Sequence, residues 1–154
     1  MMNSRDIKNH STKGANMRLP KINETVDTKW ALELCEAFKL DYLVKRIKNN
    51  EDQFISWKFD GVSCLPESWL KTFFPETSDI LTYQCALPHD LCYAYGEHDN
   101  DIEKERVDLK FYSDLVTKAK MDKFLAKTFF HAVRIGGIEE LGLSFSWGFA
   151  RKKN

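Results

Sequence analysis

A chain of 154 residues carrying 23 Lys and Arg against 23 Asp and Glu has the length of one domain and no formal net charge. Its 43% hydrophobic and 13% aromatic content can bury a core, which excludes a wholly disordered chain. The missing basic excess argues against a nucleic-acid coat, so no nucleic-acid partner is expected. No apolar run reaches the roughly 18 residues of a membrane helix, and Met1-Met2-Asn3-Ser4-Arg5-Asp6 lacks the apolar segment of a signal peptide. A cytoplasmic location is therefore expected. The cysteines, Cys35, Cys64, Cys85 and Cys92, are scattered and read as reduced thiols rather than a disulfide scaffold or paired zinc knuckles.

In chain order, residues 1–24 are polar and without apolar periodicity, which predicts a flexible arm before a single globular domain over 25–154. Asp27 reads as the N-cap of a helix whose Trp30, Leu34 and Phe38 recur every four residues. Asp41 opens a second helix with Leu43, Val44 and Ile47 inward and Lys45, Arg46 and Lys48 in its last turn. The pair is read as a packing element rather than a helix-turn-helix. Phe54 to Phe59 alternates as a short strand, and Asp60-Gly61-Val62-Ser63 reads as a turn in which Gly61 takes a positive φ. A short helix with Trp69, Leu70 and Phe73 follows Pro66 and is closed by Pro75. Helices are then predicted over about 82–96, with Pro88 to be accommodated near its start, 102–118 and 120–135. Gly136-Gly137 stops the last of them. Leu141 to Ala150 is apolar and aromatic, and Arg151-Lys152-Lys153 ends the chain. The fold class is mainly α with a small β element.

Chemistry concentrates in Cys85-Ala86-Leu87-Pro88-His89-Asp90-Leu91-Cys92-Tyr93. On a helix, Cys85, His89, Cys92 and Tyr93 share a face, while Asp90 lies about 100° round, toward a different surface. On the next helix Val107, Phe111 and Leu115 form a stripe that Asp108 borders. Two antiparallel helices joined by the acidic loop Glu97-His98-Asp99-Asn100-Asp101 place Asp108 opposite His89. A carboxylate that accepts one imidazole N–H fixes the tautomer and leaves the other nitrogen as a base, and Tyr93 is placed to donate to the same carboxylate.

Three other readings stand beside this one. His89 and Asp108 can be a buried pair that only ties two helices together. Cys85, His89 and Cys92, with Cys64 or His131, offer zinc the right atom types, although they span nearly two helical turns. Arg134 is read as a helix-end cation, or alternatively as a phosphate contact.

The string around His89 resembles that of secreted phospholipases A2, Cys-Cys-x-x-His-Asp-x-Cys-Tyr, which pair it with an Asp on an antiparallel helix. This chain matches at Cys85, His89, Asp90, Cys92 and Tyr93 and departs at Ala86. Parvovirus capsid phospholipases are similar in keeping His-Asp-x-x-Tyr and a nearby Asp without disulfides. The resemblance implies a helix-pair core, His89 as general base on water, Asp108 as its orienter and Tyr93 as support. It also implies Ca²⁺ held by Asp90 and by a loop for which Asp60-Gly61 is the candidate, and a phospholipid-like substrate or membrane surface as partner.

A second resemblance, to small phage and prophage domains without a settled activity, covers residues 54 to 137. It rests on Asp60-Gly61-Val62-Ser63 with Pro66, His89-Asp90 with Tyr93, Val107-Asp108 with Phe111, and Ala132-Val133-Arg134 with Gly136. It implies a phage-associated origin. The corresponding alternative is a non-enzymatic structural or interaction protein that keeps the helix pair as a scaffold.

Overall fold

The structure, a computed structural model, describes residues 17–62, 65 and 67–136. The expectations placed on residues 1–16, Ser63, Cys64, Pro66 and the aromatic and basic tail beyond Gly136 lie outside the described residues. The chain is mainly helical with one two-stranded antiparallel sheet. Strand β1 (Glu24–Val26) pairs with β2 (Trp57–Phe59), Val26 opposite Trp57 and Glu24 opposite Phe59. Among the described residues six α-helices form: α1 (Thr28–Ala37), α2 (Asp41–Asn49), α3 (Glu67–Phe73), α4 (Leu87–Ala94, shorter than the predicted 82–96), α5 (Asp101–Thr117) and α6 (Lys123–Gly136). Among the described residues no helix is long and apolar enough to cross a membrane.

The folded unit starts before residue 25. Met17 and Leu19 pack against the core, the Trp30 indole N–H donates to the Arg18 carbonyl at 3.1 Å, and the Arg18 guanidinium lies over the Trp30 ring. Polar side chains here hide a backbone that the fold uses. Asp27 caps α1 as its position predicts, its carboxylate accepting the Trp30 backbone N–H at 2.8 Å. Asp41 does not cap α2: Leu40 stands at that position without a side-chain cap, and Asp41 lies in the first turn, where its charge suits the dipole. Arg46 is more than a last-turn cation. It donates to the Glu103 carboxylate at 2.7 Å and 3.2 Å and to the Tyr95 carbonyl at 2.9 Å, which fastens α2 to the start of α5.

Pro88 shapes the segment that matters most. It has no N–H to donate, and its ring would crowd the carbonyl of Gln84 in a regular α-helix. The chain answers with a π-helical turn over Ile80–Ala86, and regular α geometry begins at Leu87 with the proline in its first turn. The predicted strand over 54–59 is shorter for a similar reason. Glu51–Gln53 forms a 3₁₀ turn and Phe54 leaves the ladder to pack edge-on against Tyr95.

Two apolar clusters form the core. One gathers Val26, Leu34, Leu43, Ile47, Phe59, Leu91 and Tyr95; the other gathers Leu70, Leu81, Cys85, Phe111, Leu115, Phe129 and Val133. Of the apolar residues predicted on α3, only Leu70 is buried, while Trp69 and Phe73 stand exposed and edge-to-face with each other. Side chains pair in reverse order along α4 and α5, Tyr93 with Asp108 and His89 with Phe111, so the two helices run antiparallel.

Candidate functional site

His89, Asp108 and Tyr93 meet where α4, α5 and α6 converge. The His89 Nε2–H donates to Asp108 Oδ1 at 2.9 Å, and the Tyr93 hydroxyl donates to the same oxygen. The imidazole is packed between rings, 4.4 Å from Tyr93 and 4.6 Å from Phe111 between centroids. These three residues are the ones the helix periodicity predicts. The other carboxylate oxygen is held by two residues that sequence reasoning did not assign to it. Arg134 donates from Nη1 to Asp108 Oδ2 at 3.0 Å, and Lys104 Nζ stands 3.6 Å from that oxygen and donates to the Arg134 carbonyl at 3.3 Å. Arg134 is thus more than a charge in the last turn of α6: it fixes Asp108. The signal for Lys104 was its position four residues before Asp108 on one helix.

Asp108 is fully buried, and burial alone would push its carboxyl up. The His89 and Tyr93 hydrogen bonds, with the His89 and Lys104 charges, more than offset this and hold it below the usual carboxylate range. Burial pushes the His89 imidazole down, yet Asp108 and Asp90 outweigh it and the net shift is upward. Tyr93 is pushed up, first by burial and then by Asp108, so it stays a proton donor. Tyr93→Phe should therefore cost about 1–2 kcal/mol of stability, read by urea unfolding, because a buried carboxylate loses one of its donors. Unchanged stability would show that this donor is dispensable.

Asp90 does not face a separate surface. It folds back beside His89, its Oδ1 3.7 Å from Nδ1, and its Oδ2 is buried with no hydrogen-bond partner among the described residues. Its carboxyl is pushed up, mainly by burial. Asp60, on the turn after β2, is exposed at the surface, and its carboxyl is pushed up by local desolvation and then by the Asp90 charge. Gly61 takes the positive φ (72°) that its turn predicts, and a Cβ there would meet Ile22 at 3.3 Å. Two carboxylates that feel each other's charge, one with an orphaned oxygen, are the donor type that hard cations take. They do not form a complete side-chain cage, because no group of three or more His, Cys, Asp or Glu converges among the described residues. Carbonyls and water would have to complete the coordination.

No protein-family model, curated protein or solved structure matches the chain. The site's meaning rests on its own geometry.

Among the described residues Cys85, His89 and Cys92 do not gather into a group that could hold zinc, and Cys64 lies outside them. Cys35, Cys85 and Cys92 are buried free thiols, pushed by burial up to about 12, about 12 and about 11. The Tyr42 hydroxyl donates to the Cys92 sulfur at 3.2 Å, and His131 is exposed. His89 also borders a cleft of about 280 Å³ between the α1–α2 link, α4 and α5.

Proposed function

We propose that the protein is a calcium-dependent hydrolase of phospholipid-like esters, with the His89–Asp108 pair as its water-activating dyad. The observation that carries this reading is the orientation of His89. In the neutral ring, Nε2–H is committed to a carboxylate that Tyr93, Arg134 and Lys104 keep ionised, which puts the lone pair on Nδ1, 3.7 Å from Asp90 Oδ1. In the reaction, Nδ1 takes a proton from water as the water oxygen bonds to the ester carbonyl carbon. The imidazolium is stabilised by Asp108 and then returns the proton to the leaving alkoxide, giving an acid and an alcohol. Asp60 and Asp90, with the Gly61 turn, are the residues that would hold Ca²⁺, which supplies positive charge for a developing oxyanion. The match to the phospholipase A2 string at His89, Asp90 and Tyr93 supports the same reading.

A second reading is favoured by one specific observation: the His89 side chain is only 3% exposed. In it the cluster ties α4, α5 and α6 together in a non-enzymatic protein of phage or prophage origin.

Two experiments test the first reading. Incubation with phosphatidylglycerol vesicles and millimolar calcium should release free fatty acid, and no release contradicts it. Calcium at about 100 times its Kd should add about 2.7 kcal/mol of stability, and Asp90→Asn should remove most of that gain. Identical unfolding curves with calcium and with a chelator would remove the cation from the account.

A further inference from the structure

The cleft beside His89 has a composition that dyad chemistry does not require. Its walls are apolar, formed by Phe38 and Leu40 from the α1–α2 link, Pro88 from α4 and Val107 from α5. The same cleft is lined by three cations, Arg106, Lys110 and Lys118, against one carboxylate, Asp114. Asp114 is nearly buried and is already paired with both lysines, Lys118 at 3.5 Å, while the lysine side chains are 65% and 43% exposed. The Arg106 guanidinium, exposed at the mouth of the cleft, lies 5.0 Å from the Tyr42 ring centre.

We propose that this cleft is a binding site for a single-chain anionic amphiphile, an unbranched fatty carboxylate. Its chain lies on the Phe38–Leu40–Val107 wall and its head group meets Arg106, beside Val107 on α5. The volume, about 280 Å³, lies near the small end of ligand pockets and suits a medium-length chain rather than a two-chain lipid. The apolar wall rewards burial of each methylene, and the positive excess selects the sign of the head group. This ligand class follows from the lining and does not depend on hydrolysis at His89.

Titration calorimetry with decanoate, below its micelle-forming concentration, tests the site on the full chain. Decanoate should bind with one-to-one stoichiometry, and decyltrimethylammonium, with the same chain and the opposite charge, should bind at least about tenfold more weakly at low salt. The exposed reversal Arg106→Glu should weaken decanoate about tenfold while its unfolding temperature stays near wild type. Leu40→Trp, which fills the cleft, should abolish binding of both; if it does not fold, the reversal variant decides. No heat with wild type, equal affinity for the two amphiphiles, or undiminished decanoate affinity in the reversal variant overturns the proposal.

Discussion

Asp108→Asn lowers the free energy of unfolding by about 3–5 kcal/mol, the usual cost of removing one charge from a buried ion pair. The side chain is fully buried and accepts from His89, Tyr93 and Arg134 while Lys104 stands 3.6 Å away. Asparagine keeps the shape but removes the charge that compensates Arg134 and Lys104. Its amide also turns one acceptor into a donor facing other donors. For a chain of this size the loss lowers the unfolding temperature by roughly 6–20 °C. The sign of the pH dependence follows from the depressed Asp108 carboxyl. A carboxyl held lower in the fold than in the unfolded chain contributes stability above its unfolded value, near 3.9, and loses it as pH falls through the folded value. The gap between wild type and variant is therefore full at pH 7 and closes below about pH 4. Urea unfolding of both proteins at pH 7 and pH 3 measures it, and a loss under 1 kcal/mol at pH 7 would contradict the account of the cluster.

His89→Gln reduces kcat for ester hydrolysis by about 10²–10⁴, the range that a positioned general base supplies. Glutamine keeps an N–H donor for Asp108 and a similar length, so the variant stays folded, but it has no nitrogen that can take a proton from water. The loss should fall on kcat with little change in KM, because the base acts in the transition state rather than in binding. A purely structural cluster makes a different prediction. In that case wild type releases no product, and His89→Gln changes only the unfolding curve.

Much of this arrangement was legible in the sequence, and the gaps have physical causes. The apolar spacing of Trp30, Leu34 and Phe38 and the Asp27 cap located α1, and the Val107–Phe111–Leu115 stripe located α5, because each is written in local periodicity. Helix ends were harder. Lys39 and Lys120 take positive φ, 57° and 55°, just after α1 and α5, a position where glycine is the usual signal. Strand β1 escaped notice because three residues carry no alternation of their own, and its existence depends on Trp57–Phe59 far along the chain. The π-helical turn before Pro88 was half legible: the proline announced a disturbance but not its form.

In the site, His89, Asp108 and Tyr93 were found because all three project from the facing stripes of two adjacent helices. Arg134 was missed because its partner lies 26 residues away on another helix, and nothing local distinguishes it from an ordinary helix-end arginine. Asp90 was located but its surroundings were not. A position on a helical wheel gives a direction, and only tertiary packing showed that this direction is filled by His89 and lies within reach of the Asp60 charge.

The most direct test of the dyad is a side-by-side measurement of fatty acid release from phosphatidylglycerol vesicles by wild type and His89→Gln, in millimolar calcium and at equal folded concentration. The account predicts release by wild type and a loss of about 10²–10⁴ in the variant. Equal release by both proteins, or none by wild type, would contradict it.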